Sequence, residues 1–170
     1  TRKVKLISDL MDRVPNLVSN SDLLIDSNAD NIPDGFALQG TPTVNSLSNG
    51  IWNLSSTGGF RGIKYNSENL LLANTLYYLY SRYKTSSNVV RIQPEVNVFH
   101  SGSGKFELVS GIYFGASSGL LLLDKRADSS TSITWEVDSI GAINITDLVS
   151  RGILPQGLTN AQYKDILDNA

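Results

Sequence analysis

The chain has 170 residues, a formal net charge of −2 and no cysteine, and hydrophobic residues make up 41% of it. This length suits one domain, and the thinly scattered Lys and Arg argue against a nucleic-acid-binding surface. The absence of cysteine excludes a disulfide scaffold, a thiol nucleophile and a thiolate metal site. No apolar run approaches the roughly 20 residues that span a bilayer, so we expect no membrane insertion.

Residues 1–15 carry a helical pattern. Val4, Ile7, Met11 and Val14 follow a 3-4-3 spacing that places them on one stripe, and Pro15 ends the helix. A helix of this length is marginal alone in water, so its stripe needs a partner. That partner is either the rest of the chain or copies of the same helix in a coiled coil, which would serve as a trimerisation stem.

From residue 16 to residue 147 the sequence consists of short apolar runs separated by Gly, Asn, Ser and Pro. Many short strands of this kind, with turn signals between them, predict an all-β jelly-roll β-sandwich. The predicted strands include residues 76–84, 89–98, 131–137 and 142–146. In the first of these, even-numbered residues share one face and odd-numbered residues share the other.

The last segment, residues 148–170, turns helical again. Thr159 and Gln162 form a capping box, and Leu158 and Tyr163 form a hydrophobic staple. We therefore predict a C-terminal extension with a short capped helix at residues 160–168. This helix would dock on the sandwich or on a neighbouring subunit.

Signatures of catalysis are missing from the sequence. His100 is the one histidine, and no G-x-S-x-G elbow presents a serine to it. The chain has no H-E-x-x-H, no P-loop and no G-x-G-x-x-G that opens a helix. Its acids are scattered, and the sequence does not pair any two of them for glycoside hydrolysis. We therefore expect a binding protein without a catalytic residue or a cofactor.

An Asx-rich segment, residues 22–34, has the composition of a calcium loop. It lacks the EF-hand register, since neither Gly nor Glu falls where that loop requires them. Two interpretations stay open. The segment is a turn region capped by its own side chains, or it holds a structural calcium that bridges the loop to a distant strand.

Sugar recognition needs flat aromatic rings for the apolar face of a pyranose and planar polar groups for its hydroxyls. The sequence has both on neighbouring strands, and the predicted ligand-binding residues are Trp52, Tyr78, Tyr80, Arg82, Gln93 and Asn97. Polar and apolar side chains alternate in residues 90–98, which predicts one polar face. A polar face beside a tyrosine-rich strand is typical of a concave binding face, and also of an ordinary solvated face.

Six short motifs follow one another along the chain: N-L-V-S-N-S-D (16–22), D-G-F-A (34–37), G-I-W-N-L (50–54), G-F-R-G-I (59–63), N-T-L-Y-Y-L-Y-S-R-Y-K (74–84) and I-T-W-E-V-D-S-I (133–140). In this order they resemble jelly-roll carbohydrate-binding modules of the galactose-binding-like type. The resemblance implies a structural calcium, which by position would be held by Asp22 and Asp138. Leu23 and Leu24 stand where that family usually has Phe-Glu.

The stretch A-I-N-I-T-D-L (142–148), followed by R-G-I-L-P-Q-G (151–157) and a capped acidic helix, resembles the C-terminal signature of such modules in phage tail and baseplate proteins. The resemblance implies a receptor-binding module of a virion, located in an extracellular appendage, that binds a cell-surface glycan without chemistry. The implied partners are that glycan, other virion proteins and copies of the chain in a homotrimer. The alternative is a structural virion domain, for decoration or assembly, with no sugar site.

Overall fold

The structure is a computed structural model. It describes residues 16–66, 70–94, 98–115, 121–125 and 131–170. The predicted N-terminal helix, residues 1–15, lies outside these ranges, and so does the predicted ligand-binding residue Asn97.

Two five-stranded antiparallel sheets face each other. In spatial order, the front sheet consists of β1 (Phe36–Gln39), β4 (Gly62–Tyr65), β9 (Leu122–Lys125), β6 (Val90–Gln93) and β7 (Val98–Phe99). The back sheet consists of β2 (Thr43–Ser48), β3 (Ile51–Ser56), β10 (Ile133–Asn144), β5 (Leu76–Thr85) and β8 (Phe106–Phe114). Because the chain passes repeatedly from one sheet to the other, the predicted all-β jelly-roll sandwich is confirmed.

The hydrophobic core lies between the two sheets because the strands alternate in polarity. On β5 the odd-numbered residues Tyr77, Leu79 and Tyr83 are buried in it, so the predicted face that carries them is the one that meets the core. The front sheet contributes apolar side chains from three adjacent strands, namely Ile63, Leu123 and Ile92. The neighbouring residues on these strands must therefore lie on the outer face of the front sheet.

Two strands differ from their predicted extents. The predicted strands 131–137 and 142–146 form one strand, β10, which passes through an irregularity between Val137 and Ser139. It ends at Asn144, whose side chain accepts a hydrogen bond from the backbone N–H of Asp147 and caps helix α1 (Ile145–Ser150). The predicted strand 89–98 corresponds to β6 and β7, and Pro94 between them has no N–H to donate to a sheet.

The C-terminal extension covers part of the outer face of the back sheet. Helix α2 (Asn160–Asp168) begins at the predicted capping box, in which the N–H of Thr159 donates to Gln162 Oε1 at 2.9 Å. Tyr163 and Leu167 of this helix are buried in a second apolar cluster, which also contains Tyr78, Ile143, Ile145, Leu148 and Leu154. The predicted start of the extension, residue 148, lies within α1. Neither described helix is long and apolar enough to cross a membrane.

Candidate functional site

The outer face of the front sheet carries a cluster of polar side chains. Ile92 and Leu123 point into the core, so Arg91, Gln93 and Asp124 lie on the opposite face. Arg91 and Asp124 are direct partners across β6 and β9. These side chains are therefore neighbours on the front sheet, whereas the C-terminal extension packs on the back sheet.

Asp124 is the centre of this cluster, and it is only 2% exposed. Arg91 Nε donates to its Oδ1 at 3.3 Å, and Gln93 Nε2 lies 3.1 Å from Oδ1 and 3.2 Å from Oδ2. Burial raises the pKa of Asp124, and the charge and hydrogen bonds of Arg91 and Gln93 partly oppose that rise. These contacts fix two planar groups, the guanidinium of Arg91 and the side-chain amide of Gln93.

Phe60 lies at the edge of this cluster. Its ring is 53% exposed, and the Arg91 Cζ atom lies 5.9 Å from the ring centroid. The backbone of Phe60 has a φ of +54°, in the left-handed region that bulky residues seldom adopt. Such strain persists where the surrounding structure holds it, and it is common at functional sites. We refer to Phe60, Arg91, Gln93 and Asp124 as the Arg91 patch.

The predicted ligand-binding residues do not converge on one surface. Gln93 lies in the Arg91 patch on the front sheet, whereas Tyr78, Tyr80 and Arg82 belong to β5 of the back sheet. The prediction that they share one face is wrong, because β5 and β6 are consecutive in the chain but belong to opposite sheets.

Trp52 is a core residue, which corrects its predicted role in ligand binding. It is 0% exposed, and the centroid of its ring lies 6.1 Å from that of Phe36 in an edge-on contact. Among the described residues, its indole N–H has no hydrogen-bond partner. Along β3 the buried Trp52 and Leu54 alternate with more exposed residues, so this side of the strand faces the core.

Tyr78 and Tyr80 form a stacked pair on the outer face of the back sheet, with ring centroids 5.7 Å apart. The Tyr78 hydroxyl donates to Asp168 Oδ1 at 2.8 Å, and the Tyr80 hydroxyl accepts from Asn16 Nδ2 at 2.8 Å. Burial and the bond to Asp168 raise the pKa of Tyr78. Hydrogen bonds to Asn16 and Asp168 thus hold the two tyrosine rings in place.

Asp138, one of the two predicted calcium ligands, is paired with a cationic side chain. Asp138 forms an ion pair with Arg82 and also accepts a hydrogen bond from the Ser139 hydroxyl at 3.2 Å. A cation therefore already neutralises this carboxylate. Within the described ranges, no group of three acidic or histidine side chains gathers closely enough to hold a metal.

The Asx-rich loop uses its carboxylates on its own backbone. Asp26 Oδ2 accepts from the N–H of Asn31 at 3.0 Å, and Asp34 Oδ1 accepts from the N–H of Ser27 at 2.9 Å. Asp30 Oδ1 accepts from a third backbone N–H at 2.8 Å. These bonds support the interpretation of the loop as a turn region capped by its own side chains.

His100 is a structural residue of the turn that precedes β8. Its buried Nδ1 accepts from the N–H of Gly102 at 2.9 Å, and Nε2 lies 2.9 Å from the carbonyl oxygen of Lys105. Nε2 therefore carries the proton and donates it to that carbonyl. Hydrogen bonds from Ser101 and Ser103 lower the pKa of nearby Glu107 to about 2, so the whole turn is organised by its own polar groups.

Three residues of the Arg91 patch are absent from the predicted ligand-binding residues, and of these only Arg91 lies in a stretch whose polar face was predicted. Asp124 follows an apolar run at residues 120–123, and an acid at the end of a buried strand is a signal that could have indicated it. Phe60 follows Gly58 and Gly59, and a large ring after two glycines in a turn is a weaker signal.

No protein-family model and no curated protein sequence matches the chain. Solved structures that are similar to it include the following two. One holds the CBM22-1–GH10 modules of the Clostridium thermocellum endo-1,4-beta-D-xylanase 10B complexed with xylohexaose. It is 13% identical, with a TM-score of 0.46, over 66% of this chain and 26% of that chain. The other, described as "CBM4 structure and function", is 11% identical, with a TM-score of 0.47, over 75% of this chain and 99% of that chain.

The chain thus spans about a quarter of the length of the xylanase chain. At these identities the likeness concerns the fold alone. The fold and the Arg91 patch together define an all-β sandwich with one polar outer face edged by an exposed aromatic ring.

Proposed function

We propose that the chain is a non-catalytic carbohydrate-binding module whose site is the Arg91 patch. The observation that carries the proposal is the exposed Phe60 ring beside two planar groups that the buried Asp124 carboxylate holds in place. A pyranose would place its apolar face on Phe60 and hydrogen-bond its hydroxyls to Arg91 and Gln93. Because both planar groups are fixed beforehand, binding costs little side-chain entropy.

The proposal includes no covalent step. Hydrolysis of a glycosidic bond needs two carboxyl groups about 5–10 Å apart that reach the bond. Asp124 is covered by Arg91 and Gln93 and is only 2% exposed, so its carboxylate does not reach a ligand on this face.

The ligand we propose is a cell-surface polysaccharide, and the setting we propose is a virion tail, baseplate or fibre that attaches to a host. This setting is supported by the sequence resemblance of residues 142–157 to phage tail and baseplate modules. The apolar stripe of residues 1–15 would join three copies, and the trimer would pack against other virion proteins. Three weak sites presented together would raise the avidity well above the affinity of one site.

The alternative is a structural virion domain with no sugar site. It is favoured by one observation, namely that Arg91 and Gln93 both bond to Asp124 and so tie β6 to β9 without any ligand. The two functions differ in whether the Arg91 patch also binds glycans.

Retention in affinity gels that contain soluble polysaccharides or host cell-wall polymers tests the proposal. We expect at least one polymer to retard the protein, and Gln93→Ala to weaken this retention about 5–10-fold through the loss of one hydrogen-bonding group. The matched control is Asn45→Ala, which truncates an exposed amide on the edge strand β2 of the other sheet. Retention by no polymer, or equal retention of wild type and Gln93→Ala, would overturn the proposal.

A further inference from the structure

A cavity of about 190 Å³ lies on the other side of the sandwich, where the end of α2 meets the back sheet. It is lined by Tyr78, Tyr80, Leu108, Leu167, Asp168 and Ala170, and we refer to it as the tyrosine cavity. None of these residues belongs to the Arg91 patch. We propose that the tyrosine cavity is a second ligand site, which takes a single neutral pyranose ring.

Tyr80 provides a rigid flat surface for such a ring. It lies directly over Gly141 of β10, and a Cβ added at Gly141 would come within 2.5 Å of the Tyr80 ring and 2.6 Å of Asn16 Nδ2. Glycine inside a strand marks a close approach of another group. A positive φ would be another reason for a glycine at this position, but Gly141 does not have one. The hydrogen bond from Asn16 then fixes the Tyr80 hydroxyl, so the ring has little freedom to lose on binding.

The cavity leaves apolar surface uncovered. Leu108, the register partner of Arg82 on β8, is 45% exposed beside the stacked pair of Tyr78 and Tyr80. A packed core would bury such a leucine, whereas the C–H face of a sugar would cover both the leucine and the ring next to it. Leu108 therefore offers apolar surface next to the Tyr80 ring, in a cavity that a sugar ring would fill.

Charge and size decide the class of ligand. Asp168 Oδ1 accepts from the hydroxyls of Tyr78 at 2.8 Å and Ser110 at 2.5 Å, and Lys164 forms an ion pair with Oδ2. Because Lys164 neutralises this carboxylate, the cavity has no net charge that would attract an ion. Its volume is below the roughly 300–1,000 Å³ of clefts for drug-sized ligands, so it holds one ring, with Asp168 as a hydrogen-bond acceptor for a hydroxyl.

Titration of the ¹⁵N-labelled protein with the methyl glycosides of glucose, galactose and N-acetylglucosamine tests the inference by amide NMR. We expect saturable shifts at Tyr80, Leu108 and Ala170 with at least one glycoside. Leu108→Asn should weaken this binding at least tenfold. The matched control is Phe114→Asn, which changes another exposed residue of β8 that does not line the cavity, and it should bind as wild type does.

The outcomes separate this inference from the proposed function. Shifts confined to the Arg91 patch would overturn the second site and leave the first. Shifts in neither place would overturn the second site, and the Arg91 patch would still be decided by the retention of polysaccharides. Equal binding by Leu108→Asn and wild type, or tighter binding of methyl glucuronide than of the neutral glycosides, would overturn the cavity as a site for a neutral ring.

Discussion

Arg91 and Asp124 form an ion pair on the outside of the front sheet, with Nε 3.3 Å from Oδ1, although their side chains are only 16% and 2% exposed. A carboxylate so enclosed keeps its charge only if partners compensate for the lost water. The pair therefore has two roles, since it joins β6 to β9 and orients Arg91 for a ligand.

Arg91→Ala should lower the free energy of unfolding by about 3 kcal/mol at pH 7, because it leaves a buried charge without its main partner. This difference in the free energy of unfolding should be smaller at acidic pH, because a protonated Asp124 carries no charge for Arg91 to compensate. Urea unfolding at several pH values measures both effects. As a control, the double variant Arg91→Met with Asp124→Leu removes both charges and should recover most of the stability. A single variant as stable as wild type would contradict this account.

Trp52→Phe should affect stability and not glycan binding, because Trp52 lies wholly in the core. The smaller ring leaves a cavity and should cost about 1–2 kcal/mol, less than the roughly 3–5 kcal/mol of truncation to alanine. Thermal unfolding and affinity gels measure the two properties on the same sample. A folded Trp52→Phe variant that no longer binds polysaccharide would contradict this prediction and show that Trp52 contributes to binding.

Glu107 should make the turn before β8 sensitive to acid. Hydrogen bonds from Ser101 and Ser103 lower its pKa from 4.5 to about 2. A group whose pKa falls on folding stabilises the protein above its unfolded pKa, and this contribution is lost as the pH falls. Glu107→Gln should therefore be less stable than wild type at pH 6, and the difference should diminish between pH 4.5 and pH 2. Thermal unfolding across this range checks it, and a difference independent of pH would refute it.

Removal of residues 1–14 should convert a trimer into a monomer, because the stripe of Val4, Ile7, Met11 and Val14 would otherwise pair with copies of itself. Light scattering of the full and truncated chains measures the mass in solution. A monomer in both forms would show that the stripe packs on its own chain, and the proposed fibre setting would lose its physical support.

Local patterns in the sequence predict much of this structure. The capping box of Thr159 and Gln162 places α2 correctly, and the alternation in β5 correctly separates its even-numbered from its odd-numbered residues. Both features depend on contacts between residues close in the chain. The edge strand β2 was missed because its residues are largely polar and exposed, so it shows no apolar alternation.

The candidate site was less predictable because it depends on long-range pairing. Nothing local indicates that β5 and β6 belong to opposite sheets, so Gln93 was grouped with Tyr80. Nor does a local pattern bring Asp124 beside Arg91, which lies 33 positions away in the chain. The polar face of residues 90–98 was recognisable, but its partners on β9 were not.

The central claim, that the Arg91 patch binds glycan, is tested most directly by a matched pair of truncations. Phe60 and Leu72 are 53% and 54% exposed, so Phe60→Ala and Leu72→Ala should disturb the fold to a similar, small degree. Calorimetric titration with a polysaccharide that retards the wild type gives the Kd of each variant. We predict that Phe60→Ala raises the Kd at least about tenfold and that Leu72→Ala stays within about twofold of wild type. Equal Kd values for Phe60→Ala and wild type would contradict the claim.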